Sequence, residues 1–332
     1  MMEFDRIIPL YMEDCHARQL RPKTMQSYEQ ALRLFSVWLE EHHGVIHIEG
    51  VTDYYMRRFI IDLQTRGKYT FCSVKGTEEI NHPQNRRDYN LPISNITINN
   101  YLRNLRAFFA WLVEMEYLTR TPMKKIKLLS SDRRARDYLE DEEVVRLLKC
   151  LNKGSFPEFR DTVAIMIMLD SGTRVGETLS AEVSQLHLDE RSLHLPADKT
   201  KGRKARTVFF SAKTARELRH WLQFKDRYCE SDFIFPVKHS GFPPQVSDFE
   251  KNFAKYVRRA GIRKRVSPHT LRNNFAKRCI LSGMGIYTLS RLLGHSSVEV
   301  TQQSYLDVTE YDLKQQYGKY SPEEGIFFKH RK

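Results

Sequence analysis

Along the first part of the chain, apolar side chains return mostly every third or fourth position, the period that gathers them on one face of a helix. Residues 24–41 carry it through Met25, Tyr28, Ala31, Leu32, Leu34, Phe35, Val37, Trp38 and Leu39, and Gly44 follows as a helix stop. Residues 9–17, preceded by Ile7 and Ile8, predict a shorter amphipathic helix that opens at Pro9. Thr52 and Asp53 offer caps for a third, with Tyr54, Tyr55, Phe59, Ile60 and Leu63 as its apolar positions. Residues 97–116 repeat the period through Ile98, Tyr101, Leu102, Leu105, Phe108, Phe109, Leu112 and Val113. Between these last two, residues 66–94 lose it. Gly67, Gly76, Pro83, Asn85 and Pro92 punctuate scattered charges, which predicts a long inserted loop with a short hairpin at 69–74. Loops of this length within a compact domain are uncommon and often functional.

The period stops again after Leu129, in a polar, basic stretch. That places a linker at 129–137, between a helical domain over 1–128 and a second domain over 138–332. Glu140, Asp141, Glu142 and Glu143 suit a helix N-terminus, and Val144, Val145, Leu147 and Leu148 continue it. Residues 160–169 are apolar enough for a buried helix. Residues 186–188, 192–195 and 206–210 predict short strands, the first two joined by Asp189-Glu190-Arg191 and the last two by a longer basic turn. Residues 214–224, 249–260, 268–282 and 286–293 predict helices. The fold class is mainly α with a small antiparallel β-sheet.

Composition narrows the picture. A chain of 332 residues fits two domains, and 41% hydrophobic residues exclude a wholly disordered one. No apolar run approaches the roughly 18 residues of a membrane span. Acids among the first fourteen residues argue against a secretory signal. The five cysteines are odd in number and form no C-x-x-C pair, which argues against a disulfide framework or a zinc ribbon and fits a reducing cytoplasm. The formal charge is +13, which makes a polyanion such as nucleic acid the first partner to consider. Residues 1–128 hold 18 basic and 15 acidic side chains, and the remainder holds 36 and 26, so most of the excess lies in the later part.

Four short segments of the second domain carry candidate chemistry. In Ser171-Gly172-Thr173-Arg174-Val175-Gly176-Glu177, a glycine-bearing turn presents Arg174 where a helix begins, with Glu177 one turn later on the same face. The donor fork of an arginine suits a phosphate, although alone the segment reads more simply as a surface ion pair. The run from Lys199 to Arg206 is a basic turn between strands. Such a turn can bring an ammonium to a leaving oxygen as a proton donor, or it can be a solvated loop. In Ser267-Pro268-His269-Thr270-Leu271-Arg272, a serine cap and a first-turn proline set His269 and Arg272 three apart beside free helix N–H groups, an arrangement suited to an anion. Leu292-Leu293-Gly294-His295-Ser296-Ser297 leads to Tyr305, which is either half-buried packing or a nucleophile.

In their order and relative spacing, these segments resemble the tyrosine recombinases, or phage-integrase family. The likeness is to an arginine in T-G-x-R-x-x-E, a lysine in a G-K-G-like hairpin, H-x-L-R, and L-L-G-H-S-S with a tyrosine some way on. Arg21-Pro22-Lys23-Thr24 and Thr97-Ile98-Asn99-Asn100 similarly resemble the family's helical core-binding domain, with no arm-binding domain expected before it. Within the family the chain resembles transposon integrases and Xer-like recombinases. Thr200 stands where glycine is common, which leaves Lys199 and Lys204 as alternatives to Lys201. Tyr311, Tyr317 and Tyr320 follow Tyr305, but Tyr305 alone sits at a family-like spacing.

The resemblance implies a C-shaped clamp on DNA that cuts and rejoins strands through a 3′-phosphotyrosyl intermediate, with no metal or other cofactor. It implies Arg174, Lys201, His269, Arg272, His295 and the nucleophile Tyr305 as catalytic residues, with Glu177 in support. The implied partners are duplex DNA with inverted-repeat core sites, three further copies in a synaptic tetramer, and accessory DNA-bending proteins. No membrane partner is implied. Tail residues 306–332 would pack on a neighbouring protomer. Candidate phosphate contacts are Lys23, Arg103, Arg106, Lys124, Lys125, Arg133, Arg134, Arg136, Arg203, Lys204, Arg258, Arg259, Arg263, Lys264 and Arg265. A phosphotyrosyl topoisomerase or resolvase, or a non-catalytic DNA-binding protein that keeps the fold, are the alternative functions.

Overall fold

The computed structural model describes residues 1–72, 82–130, 137–200, 202–295 and 297–304. The chain divides into two compact units, Met1–Arg133 and Arg134–Lys332.

The first unit is built from α1 (Phe4–Ala17), α2 (Pro22–His43), α3 (Asp53–Thr65) and α4 (Asn95–Glu114). α1 begins five residues before the expected Pro9, because Phe4, Ile7, Tyr11 and Cys15 form one buried stripe at helical steps. Pro9 lies inside the helix on its exposed side, as does Asp5, whose carbonyl a proline at that position leaves without its usual donor. Phe35 of α2 sits at the centre of the core, with ring centroids 5.0 Å from Phe59 and 6.1 Å from Phe4. Gly44 ends α2 with a left-handed φ of 63°.

The inserted loop differs from its expectation. Tyr69 to Cys72 form no strand, and residues 73–81 lie outside the described residues. The pairing forms between the loop's two ends. Lys68 N donates to Leu91 O and Asn90 N to Lys68 O, both at 2.9 Å, so the long segment leaves and rejoins the helices at one point. At the start of α4, Asn99 holds Leu129 through two hydrogen bonds of 2.9 and 2.8 Å, and Asn95 donates to Ser130 O. The first residues assigned to the linker are therefore tied to α4.

The second unit contains α5 (Asp141–Lys149), α6 (Phe156–Ser171), α7 (Val175–Leu179), α8 (Ala212–Asp226), α9 (Val246–Arg259), α10 (Pro268–Leu281), α11 (Ile286–Leu293) and α12 (Val298–Ser304). α6 is buried on nearly every side, with Val163, Ala164, Ile165, Ile167 and Met168 fully covered. A three-stranded antiparallel sheet, β1 (Leu186–His187), β2 (Ser192–Leu195) and β3 (Arg206–Phe209), lies in that order beside it. Leu193 pairs with Val208 and Leu195 with Arg206. Leu193, Leu195 and Val208 enter the core, so the two-residue period of β3 carries Arg206 toward the same side. Among the described residues no helix is long and apolar enough to cross a membrane.

Candidate active site

The site starts where α6 ends. Gly172 takes a left-handed φ of 66°, and a Cβ there would stand 2.4 Å from Phe275 Cδ1 and 2.9 Å from Leu293 Cδ2. Only glycine satisfies both the turn and the close approach of α10 and α11. Two residues on, Arg174 caps α7, and Glu177 folds back onto it. Arg174 N donates to Glu177 Oε2 at 2.9 Å, and Arg174 Nη1 to Oε1 at 2.8 Å. Glu177 is 3% exposed, and its carboxylate also receives Arg206, with Nη1 to Oε1 at 3.1 Å and Nη2 to Oε2 at 2.6 Å. Burial pushes this carboxyl's pKa up. The Arg206 hydrogen bonds and charge, followed by those of Arg174, more than reverse that push, and the group ends below its ordinary value.

Arg272, on the second turn of α10, is 1% exposed. Its Nη1 donates to Gly172 O and its Nη2 to Leu293 O, both at 2.7 Å. These carbonyls lie at the C-terminal ends of α6 and α11, where a cation is favoured. The Ser-Pro start of α10 is as the spacing predicts, with Ser267 N donating to Thr270 Oγ1 at 3.1 Å and His269 exposed in the first turn.

Gly294 ends α11 with a φ of 63°, and its backbone lies against Arg206, so that a Cβ would stand 2.9 Å from Arg206 Cδ. His295 follows. Its Nδ1 is 2.7 Å from Oγ1 of the fully buried Thr301 on α12. Burial, then the charges of Arg272, Arg174, Arg206 and His269, push its pKa down to about 4. Three guanidinium groups and a second imidazole lie near enough to His295 to oppose its protonation.

Lys201 and Tyr305 lie outside the described residues, as do Arg133, Arg134, Arg136 and the tail. What surrounds Lys201 in sequence is described. The Thr200 hydroxyl is buried in the turn, 3.0 Å from Ala197 O and 2.9 Å from Lys204 O, and it accepts from Lys204 N at 3.1 Å. Lys199 is engaged elsewhere, with its ammonium bonded to Ser180 O at 2.9 Å and Glu182 Oε1 at 2.5 Å. Lys204 is exposed, and Tyr305 directly follows α12.

The basic candidates divide by their partners. Lys23, Arg103, Arg106, Lys124, Lys125, Arg203, Lys204, Arg258, Arg259, Arg263 and Arg265 are exposed, with Arg103 bonded to Asn100 Oδ1 at 2.9 Å and Arg258 to Ala254 O at 3.3 Å. Arg259 forms a two-pronged ion pair with Glu158 at 3.0 and 2.6 Å. Lys264 is bonded to Glu143 at 2.8 Å and Tyr138 O at 3.0 Å, and Arg106 to Ile126 O at 2.7 Å. Arg206 was not among the residues singled out by motif. Its signal was its phase, a charged residue two and four positions before the inward Val208 and Phe210.

Residues 137–311 match the phage integrase family, a span that includes the four candidate segments of the second domain and Tyr305. Tyrosine recombinase XerD of Shewanella oneidensis is 29% identical over 225 residues, covering 67% of this chain and 73% of that protein. XerD of Oceanobacillus iheyensis is 26% identical over 312 residues, covering 92% and 94%. Among solved structures, the Tn1549 transposon integrase in complex with transposon right end DNA superposes with a TM-score of 0.69 at 16% identity, covering 96% of this chain and 99% of that one. XerH recombinase bound to a palindromic difH substrate gives 0.66 at 18% identity, covering 93% and 82%. At these identities the structural likeness speaks to the fold, and the sequence match to the family. With more than half its length matched, the chain belongs to the phage integrase family and is a tyrosine-type site-specific DNA recombinase.

Proposed function

We propose that Tyr305 cleaves one strand of a duplex DNA core site by attack of its phenolic oxygen on a backbone phosphorus. The new bond is a 3′-phosphotyrosyl ester, and the bond broken is that between phosphorus and the 5′-oxygen. His269 takes the phenolic proton, and Lys201 protonates the departing 5′-oxygen. Arg174 and Arg272 bind the nonbridging oxygens as negative charge builds on them, with His295 as a further hydrogen-bonding group. The ester retains the energy of the phosphodiester, so rejoining to a strand of a second site needs no nucleotide. The DNA carries inverted-repeat core sites, and four protomers act in synapsis, with DNA-bending proteins as accessories. The reaction takes place on cytoplasmic DNA.

The observation that carries this reading is the convergence of Arg174, Arg206, Arg272 and His269 on a neutral His295, an excess of positive charge suited to one phosphate. The test is a nicked suicide duplex from the flanks of the gene. Wild-type protein is expected to form a covalent protein–DNA adduct that Tyr305→Phe does not. An adduct that persists in Tyr305→Phe assigns the nucleophile elsewhere.

A further inference from the structure

Arg206 joins three segments that each present a group to the site. Its two terminal nitrogens hold Glu177, and through it Arg174. Its Nε donates to Leu292 O at 3.1 Å, and its stem lies under Gly294, so it also braces the end of α11 that presents His295. It is the first residue of β3, directly after the basic turn. Its side chain is 9% exposed.

We infer that Arg206 is a positioning residue for strand cleavage, holding Glu177 so that the guanidinium of Arg174 stays oriented and keeps its charge for the phosphate. This rests on the reading of Arg174 as a phosphate-binding group. Each oxygen of Glu177 accepts one donor from Arg174 and one from Arg206. Two guanidinium groups share one carboxylate, which leaves a net positive charge on the 25%-exposed Arg174 side. Without Arg206, the whole of the Glu177 charge falls on Arg174 and opposes its hold on an incoming anion. The carboxylate is also freed to turn, and Arg174 turns with it. A buried ion pair is weak evidence of a stabilising role, since an apolar pair of equal volume packs as well. An apolar pair, however, could neither orient nor neutralise in this way.

The experiment measures adduct formation on the nicked duplex at saturating DNA, below the melting temperature of every variant, with DNA affinity measured alongside. Arg206→Met is expected to slow adduct formation roughly 10²-fold, the scale of a small misplacement at a reacting centre, while DNA affinity changes little. Adding Glu177→Gln to Arg206→Met is expected to restore part of the lost rate, because the unshared carboxylate is gone. A merely structural arginine predicts a folding defect without that recovery of rate in folded protein. Wild-type rate in Arg206→Met, or a double variant no faster than the single one, overturns the inference. Should Arg206→Met not fold, Arg206→Lys carries the test. It keeps the charge but lacks the fork, so it tests the geometry alone: it too should be slowed, and wild-type rate in it overturns the inference equally. These rates are read against a wild-type adduct that Tyr305→Phe abolishes, so a failure of the nucleophile assignment shows separately.

Discussion

His295 is a base whose proton affinity its surroundings have suppressed. Its native pKa of about 4 lies below the ordinary 6.5. Between those values the unfolded chain binds a proton here and the native one does not. This group's contribution to stability is therefore complete above about pH 6.5, declines as pH falls toward 4, and levels off below. A phosphate at the site adds negative charge and should raise the value again, so DNA binding should be accompanied by proton uptake under mildly acidic conditions. Ring-nitrogen NMR of His295 is expected to titrate near 4 in free protein and higher in the DNA complex, and titration of the free protein near 6.5 would contradict this. Gly172 shows the other side of the same crowding. An alanine there incurs about 1–2 kcal/mol for its left-handed backbone and, in addition, a side-chain collision with Phe275. Gly172→Ala is thus expected to lower the midpoint of thermal unfolding more than a surface Gly→Ala, and to disturb the carbonyl that anchors Arg272.

At the scale of elements, the turn between β2 and β3 has a brace of its own. The Thr200 hydroxyl accepts from Lys204 N and donates to one of two nearby carbonyls, adding a side-chain tie to the backbone bonds Thr200 N to Ala197 O and Arg203 N to Thr200 O. Thr200→Val keeps the volume and removes that oxygen, leaving the Lys204 amide of this partly exposed turn without its side-chain acceptor. The loss is local. Hydrogen exchange at the Lys204 amide should quicken and adduct formation should slow, whereas global unfolding should shift little. Unchanged exchange at that amide would show that the turn is held by something else. The strands on either side of this turn were readable from sequence, since Leu193, Leu195 and Val208 alternate with polar neighbours. The start of α1 was not, because Pro9 resembles a helix opening and only the burial of Phe4 reveals the earlier turn. Arg206 was missed because it closes a basic run and so resembled solvated charge. Its period-two phase with Val208 and Phe210 was the clue, and an inward charge requires a partner that only the folded chain identifies. The local settings of Arg174, Arg272 and His295 were legible because glycines, caps and helix ends leave marks at short range, whereas their catalytic roles came only from the family resemblance. Glu177 was legible as the partner of Arg174 but not as that of Arg206, which lies 29 positions away.

Across the whole molecule, the +13 excess is not one kind of charge. Some cations are already answered within the protein, Arg259 by Glu158 and Lys264 by Glu143, and others such as Arg258, Arg263 and Arg265 face solvent within the same stretch of chain. Only the second kind can release counterions from DNA without first breaking an internal pair, so the two kinds should separate in salt dependence. Plotted against the logarithm of salt concentration, the logarithm of affinity has a slope set by the phosphates neutralised, about 0.9 for each in duplex DNA. Neutralising Arg258, Arg263 or Arg265 to Gln should reduce that slope by up to this amount at each position that touches a phosphate, with unfolding unchanged. Arg259→Gln and Lys264→Gln should leave the slope nearly as it was and destabilise the fold by about 0–1 kcal/mol each, as partly exposed ion pairs do. Anisotropy titrations of a labelled duplex at several salt concentrations, set beside thermal melts of the same variants, read both quantities. If Arg259→Gln flattened the slope as much as its exposed neighbours, its pair with Glu158 would have to open on DNA, and the internal pairs would then count as part of the binding surface.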